Sequence, residues 1–218
     1  MNLFLHHRDI RYQDNTTLIN MYKNLGEPIT PIFIFPPEQI EPKKNKYFSN
    51  NLVQFMCQSL VDLQNSYKLK NGDLYYFEGD TLEVLKDIHK KNKINSIGFN
   101  IDYSPYALDR DEKIKKWAEK ENIIIYFQED MLLKDLLNGE TKSKNSGEPY
   151  KVFTPFMKFL RATYEVKSPD KSKVKYKKEN FDSKFEIKGK DLKKFYEENE
   201  NINVPSGREN AKKRLKQV

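Results

Sequence analysis

Five short apolar runs, at residues 3–5, 29–35, 74–77, 96–101 and 123–127, alternate with stretches of helical period and leave this chain few folds to choose from. Such runs read as strands buried on both faces, the situation of a parallel sheet covered by helices on either side. The intervening residues 15–25, 49–67, 81–92 and 105–120 carry small or apolar side chains three and four apart, as at Phe55, Ser59, Leu60 and Leu63. That spacing lays one stripe of a helix against a core. Strict alternation of strand and helix predicts a three-layer α/β domain, a doubly wound, Rossmann-like, five-stranded parallel sheet with right-handed crossovers.

Helix starts support the same frame. Asp80 stands three residues before Glu83 as in a capping box, and Ser104 precedes Pro105 as an N-cap precedes a first-turn proline. Asp14 or Asn15 is placed to cap the first crossover helix.

At 218 residues the chain holds one sizeable domain, or one domain with an extension. No apolar run approaches the roughly 20 residues that span a bilayer, and no basic segment leads into an apolar stretch at the N-terminus. An intracellular protein of cytoplasm or nucleus, not a secreted or membrane one, is expected. The sole cysteine, Cys57, excludes an intrachain disulfide, fits a reducing compartment and reads as buried filler. His6 and His7 alternate faces on a strand and His89 is remote, so no metal site is expected. The Gly-rich dinucleotide and triphosphate motifs and the Gly-x-Ser-x-Gly elbow are lacking, which removes the main support for those enzymes. Trp117 lies on the fourth crossover helix, where packing is its ordinary role.

The net charge of +7 is uneven: residues 161–218 hold 17 Lys and Arg against 10 Asp and Glu, and residues 1–160 hold 22 of each. A basic tail can follow a phosphate backbone, but a solvated linker has the same composition, and aromatic platforms at regular spacing are lacking. Beyond Phe156 the pattern decays, and residues 171–190 show no sustained period, as in a linker. Residues 191–199 are expected as a short helix, and a Pro205-Ser206-Gly207 turn leads into a last helical stretch. The expected division is an α/β domain over 1–135, an extended linker over 136–204 and the start of a further domain over 205–218.

Function is sought at the sheet's carboxyl edge, because ligands of open α/β sheets bind beyond the carboxyl ends of the strands. The turn after the first run, Arg8-Asp9-Ile10-Arg11-Tyr12-Gln13-Asp14-Asn15, packs two Arg, two Asp and an Asn into that position. Charged residues at strand ends usually cap helices and pair with one another, so a salt-bridged turn is the ordinary reading. Acid/base groups or an anion site are the alternatives. At the ends of the second and fourth runs, Phe33, Phe35, Asp102, Tyr103 and Tyr106 suit a planar ring stacked on aromatics with Asp102 accepting a hydrogen bond, or simply an α/β core with one exposed acid.

The Arg8–Asn15 turn resembles the strand-end signature of the DNA photolyase/cryptochrome family, departing by Ile10 for Leu. Further resemblances follow in order: Gln54-Phe55-Met56 with Ser59-Leu60-Val61-Asp62-Leu63, Glu78-Gly79-Asp80 with Val84-Leu85, and Phe99 to Tyr106 with Arg110-Asp111. Gly147 to Phe156 resembles the stretch that closes the family's first domain, and Gly207, Ala211 and Leu215 resemble the opening of its helical FAD-binding domain. The resemblance covers residues 3 to about 160 well.

It implies the N-terminal α/β part of a deoxyribodipyrimidine photolyase-like protein for light-dependent repair of UV-damaged DNA. That part would act as antenna and docking domain, with no catalytic residue of its own and inactive without a helical FAD-binding half as partner. DNA would be reached indirectly through that half, where the flipped-out lesion meets FAD. The antenna residues implied are Arg8, Phe33, Phe35, Asp102 and Tyr106, although Leu52 and Pro36 replace a usual basic residue and a usual Asp. A deazaflavin-type antenna chromophore is expected over a folate, because Tyr106-Ala107 stands where folate binders offer Asn-Glu and Lys46 near a folate-contacting His. A cryptochrome-like signalling module and a stand-alone nucleotide-binding domain are the rival readings.

Overall fold

All five runs form strands: β1 (Asn2–His6), β2 (Thr30–Phe35), β3 (Tyr75–Glu78), β4 (Ser96–Asn100) and β5 (Ile124–Gln128). The computed structural model describes residues 1–133, 141–143, 146–166, 168–188 and 191–217. The strands make one parallel sheet in the order β3-β2-β1-β4-β5, with Leu3 opposite both Thr30 and Ile97. From β1 the chain builds outward to β2 and β3 on one side and later to β4 and β5 on the other. The sheet is therefore doubly wound, with its switch point between β1 and β4.

Helices α1 (Thr16–Leu25), α2 (Pro37–Ile40), α3 (Asn50–Lys68), α4 (Thr81–Lys91) and α5 (Pro105–Lys120) fill the crossovers. Their starts are fixed by side chains: Asn15, not Asp14, caps α1 through Leu18 N–H at 3.2 Å, and Asp80 accepts from Glu83 N–H at 3.0 Å. The reciprocal half of that second cap goes elsewhere, since Glu83 pairs with Lys86 at 2.9 Å. Ser104 caps α5 ahead of Pro105. On one face of the sheet Leu3, Leu5, Ile32 and Phe99 bury against Val84, Leu85, Ile88, Ile114 and Trp117. On the other, Phe33, Phe35 and Tyr76 bury against α3, with Cys57 among them. Burial alone pushes the Cys57 thiol up to about 12, so it is an inert apolar side chain there. A Cβ at Gly98 of β4 would sit 2.6 Å from Met21 Sδ, so glycine is what lets α1 close onto the sheet.

Two expectations need correction. The fifth run is not buried on both faces: Ile124 is 54% and Phe127 38% exposed, because β5 is an edge strand with only β4 beside it. The expected helix over 191–199 reduces to a 3-10 turn at Lys193–Phe195. Its backbone is drawn out by α3, whose Asn50 exchanges two hydrogen bonds with Glu197 and whose Gln54 exchanges two with Asn199.

After α6 (Phe153–Thr163) the chain returns along the domain as a strap without helical or strand period. Ile29 exchanges backbone hydrogen bonds with residues 175 and 177, and Tyr76 and Glu78 do so with Ile187 and Phe185 along the β3 edge. Phe181, only 4% exposed, sets its ring edge-on to Tyr75 and Phe77. Ser206 and Arg208 then reach Gln58 and Asp62, extending the α3 ladder to the start of α7 (Arg208–Leu215). The expected boundary at 135–136 lies outside the described residues. Among the described residues no helix is long and apolar enough to cross a membrane.

Candidate functional site

The turn after β1 is built around Asp9. Its carboxylate accepts from His7 N–H at 2.9 Å and from the side-chain amides of Asn15 and Asn100, each at 2.8 Å. Asp9 thus ties the ends of β1 and β4 to the cap of α1. Burial by itself would raise its pKa, but the contact with His6 and the His7 N–H outweigh that and hold it at about 2. Arg11 pairs with Asp130 at 2.7 Å and donates to the Asp14 carbonyl, and Asp130 accepts from Thr16 N–H. The Asp9 and Arg11 side chains and the Asp14 carbonyl are thus engaged in contacts that hold the turn. Arg8 is different: its side chain is 68% exposed, with the guanidinium 3.7 Å from Asp102.

Beside this turn, above the carboxyl ends of β1, β2 and β4, opens a cleft of about 350 Å³, within the range of small-molecule sites. Arg8, Phe33, Asp102 and Tyr106 all line it. Phe35 does not. Its ring is wholly buried, with Phe33 at 4.7 Å and Phe195 of the strap at 4.7 Å. Pro36 lines the cleft, whereas Leu52 lies 60% exposed in a separate groove with Phe55, Ile202 and Val204. Asp102 is fixed by Ser104 N–H at 2.9 Å, on the same carboxylate oxygen that faces Arg8.

Sequence reasoning left out His6, His7, Glu38, Gln39, Asn45, Thr81, Ser104 and Arg110, which also line the cleft. Residues 36–48 have no sustained period that would have placed Glu38, Gln39 and Asn45, while Ser104 was legible only as a cap. Arg110 donates to His7 Nδ1 at 3.0 Å and pairs with Asp111 at 2.8 Å, joining α5 to β1. Burial, reinforced by the Arg110 charge, lowers the His7 pKa to about 3, so the ring is neutral at physiological pH. The Tyr106 hydroxyl is pushed up, first by burial and then by Glu38, and stays a protonated donor. Among the described residues no group of three His, Cys, Asp or Glu is gathered as a metal site would require.

The fold has clear counterparts. The profile of the DNA photolyase family matches residues 2–174. The chain is 30% identical over 161 residues to a deoxyribodipyrimidine photo-lyase of Buchnera aphidicola, covering 72% of this chain and 32% of that protein. The crystal structure of an archaeal photolyase from Sulfolobus tokodaii superimposes with a TM-score of 0.68 at 27% identity, covering 82% of this chain and 39% of that one. A Synechocystis cryptochrome shares the fold at a TM-score of 0.76 and 17% identity, over 91% and 40%. The chain thus spans about a third of the photolyases it matches, and with four-fifths of its residues inside the profile it belongs to the DNA photolyase family.

Proposed function

We propose that this chain is the chromophore-holding and docking part of a photolyase-like system for light-dependent repair of UV-damaged DNA. The observation that carries the reading is the cleft at the sheet's switch point, lined by Arg8, Phe33, Asp102 and Tyr106, in a chain of this family. A planar heterocycle suits those residues: Phe33 and Tyr106 offer ring faces, Asp102 accepts an imide N–H, and the exposed Arg8 can meet a carbonyl or phosphate. A flavin or deazaflavin ring satisfies that set better than a folate. The Sulfolobus structure supports this, being described as holding two FAD molecules with the implication of a novel light-harvesting cofactor.

Splitting a pyrimidine dimer needs reduced FAD and a pocket for the flipped-out lesion, and the α/β cleft supplies neither. That chemistry is assigned to a helical FAD-binding half, in a separate chain or further along the same one. Docking falls to surfaces this fold leaves uncovered, above all α6 with Phe153 at 73% exposure and the preceding Val152 at 62%. Residues 136–204 then serve as interdomain connection and strap, an intracellular compartment follows from the substrate, and DNA contact is indirect.

Reconstitution tests the reading. The purified chain should retain a flavin or deazaflavin through gel filtration and show its near-ultraviolet or blue band. Repair of UV-irradiated DNA under blue light should appear only when a family helical half is added. Repair by this chain alone, or retention of folate and no flavin, would overturn the assignment.

A further inference from the structure

Behind the cleft wall lies a buried pair that the reading above does not use. His6 lines the cleft, and its Nε2 is 2.7 Å from the hydroxyl of Tyr67 on α3. Its Nδ1 is 3.0 Å from the backbone carbonyl of Asp9 and 3.5 Å from the Asp9 carboxylate. A carbonyl oxygen only accepts, so Nδ1 carries a proton, and in that tautomer Nε2 accepts from the Tyr67 hydroxyl. Tyr67 is fully buried, with Tyr176 edge-on at 4.8 Å and Tyr12 at 5.7 Å. Burial holds its phenol in the protonated state.

A phenol is hard to oxidise unless its proton has somewhere to go, because the radical cation is a very strong acid. Here a base is already hydrogen-bonded to it, and a buried carboxylate that accepts three further hydrogen bonds stands ready to stabilise the imidazolium. His6 thus touches both the cleft and Tyr67, which does not itself line the cleft.

We infer that Tyr67, with His6 as proton acceptor, is a proton-coupled one-electron donor to a photoexcited flavin-class ring bound in the cleft. The step balances within the protein and its ligand. One electron leaves the Tyr67 phenol for the excited ring, the phenolic O–H breaks, and its proton passes to His6 Nε2. A neutral tyrosyl radical and an imidazolium facing Asp9 remain, and return of electron and proton resets them. Tyr106 lines the cleft more directly, but at 47% exposure it lacks the buried, hydrogen-bonded base that Tyr67 has. The inference rests on the flavin-class reading of the cleft, and it adds a photoreduction path that competes with passing excitation onward.

The test uses the full chain loaded with FAD. Flash photolysis should give a long-lived neutral tyrosyl signal, seen by transient absorption and by electron paramagnetic resonance, whose formation slows in D2O. Tyr67→Phe removes only the hydroxyl, and it should abolish the signal and lengthen the bound flavin's fluorescence lifetime severalfold. His6→Gln, which leaves the phenolic proton without its acceptor, should suppress formation of the neutral radical. Circular dichroism and FAD retention show whether each variant remains folded and loaded. A radical that survives Tyr67→Phe, or a loaded chain with no radical, overturns this inference alone; a chain that retains no flavin overturns it together with the reading of the cleft.

Discussion

His7 shows how one buried side chain sets a property of the whole protein. Arg110 donates to its Nδ1, and burial with that charge lowers its pKa from 6.5 to about 3. The unfolded chain binds the proton near 6.5 and the folded one does not until about 3, so between those values the unfolded state holds more protons. Stability must fall as pH drops through that window, by up to ~1.4 kcal/mol per pH unit. Asp9 acts with the opposite limits: its contribution is complete above 3.8 and is lost only as pH falls toward about 2. Acid sensitivity just below neutrality therefore belongs to His7. Urea unfolding at neutral and mildly acidic pH should show a steep loss in the wild type and a shallower one in His7→Gln. Equal slopes would place the titration elsewhere. Legibility at this scale was uneven: the Arg8–Asn15 turn was visible as a cluster, but which members pair with each other and which one faces the cleft depended on Asn100 and Asp130, far away in sequence.

Among the elements, the strap is held in two ways of unequal strength. Along α3, Asn50, Gln54, Gln58 and Asp62 recur every four residues and grip the strap through exposed or half-exposed hydrogen bonds. Each such bond is worth about 1 kcal/mol net. Under the sheet edge, Phe181 buries a whole ring against Tyr75 and Phe77, and truncating such a side chain costs about 3–5 kcal/mol. Burial therefore dominates. Thermal or urea unfolding of Phe181→Ala should show a loss of that order, and Asn50→Ala no more than about 1 kcal/mol; comparable losses would mean that the polar ladder carries the strap. Gly72 fits the same picture, since a Cβ there would meet Tyr176 Cβ at 2.5 Å where the strap crosses. None of this showed in the sequence, because an extended strap has no period of its own and its apolar residues fall at irregular intervals.

For the molecule as a whole, the strap completes the core and does not merely leave it. A chain ending before residue 171 would uncover Tyr67, Tyr75 and Phe77, and it should bind an apolar-surface dye and unfold with reduced cooperativity where the full chain does neither. Native-like unfolding of the shortened chain would contradict that role. The amino-acid sequence by itself determined the five strands, the four longer crossover helices with caps for three of them, the doubly wound class and the family, because strand and helix periods and capping residues are local signals read over a few positions. Tertiary structure alone decided that β5 is half exposed, that Phe35 is covered by Phe195 while Phe33 reaches the cleft, and that His6 meets Tyr67. Those outcomes join residues as many as 160 positions apart, and such pairings follow from how layers pack and which surface each element leaves for the next, which no local period encodes.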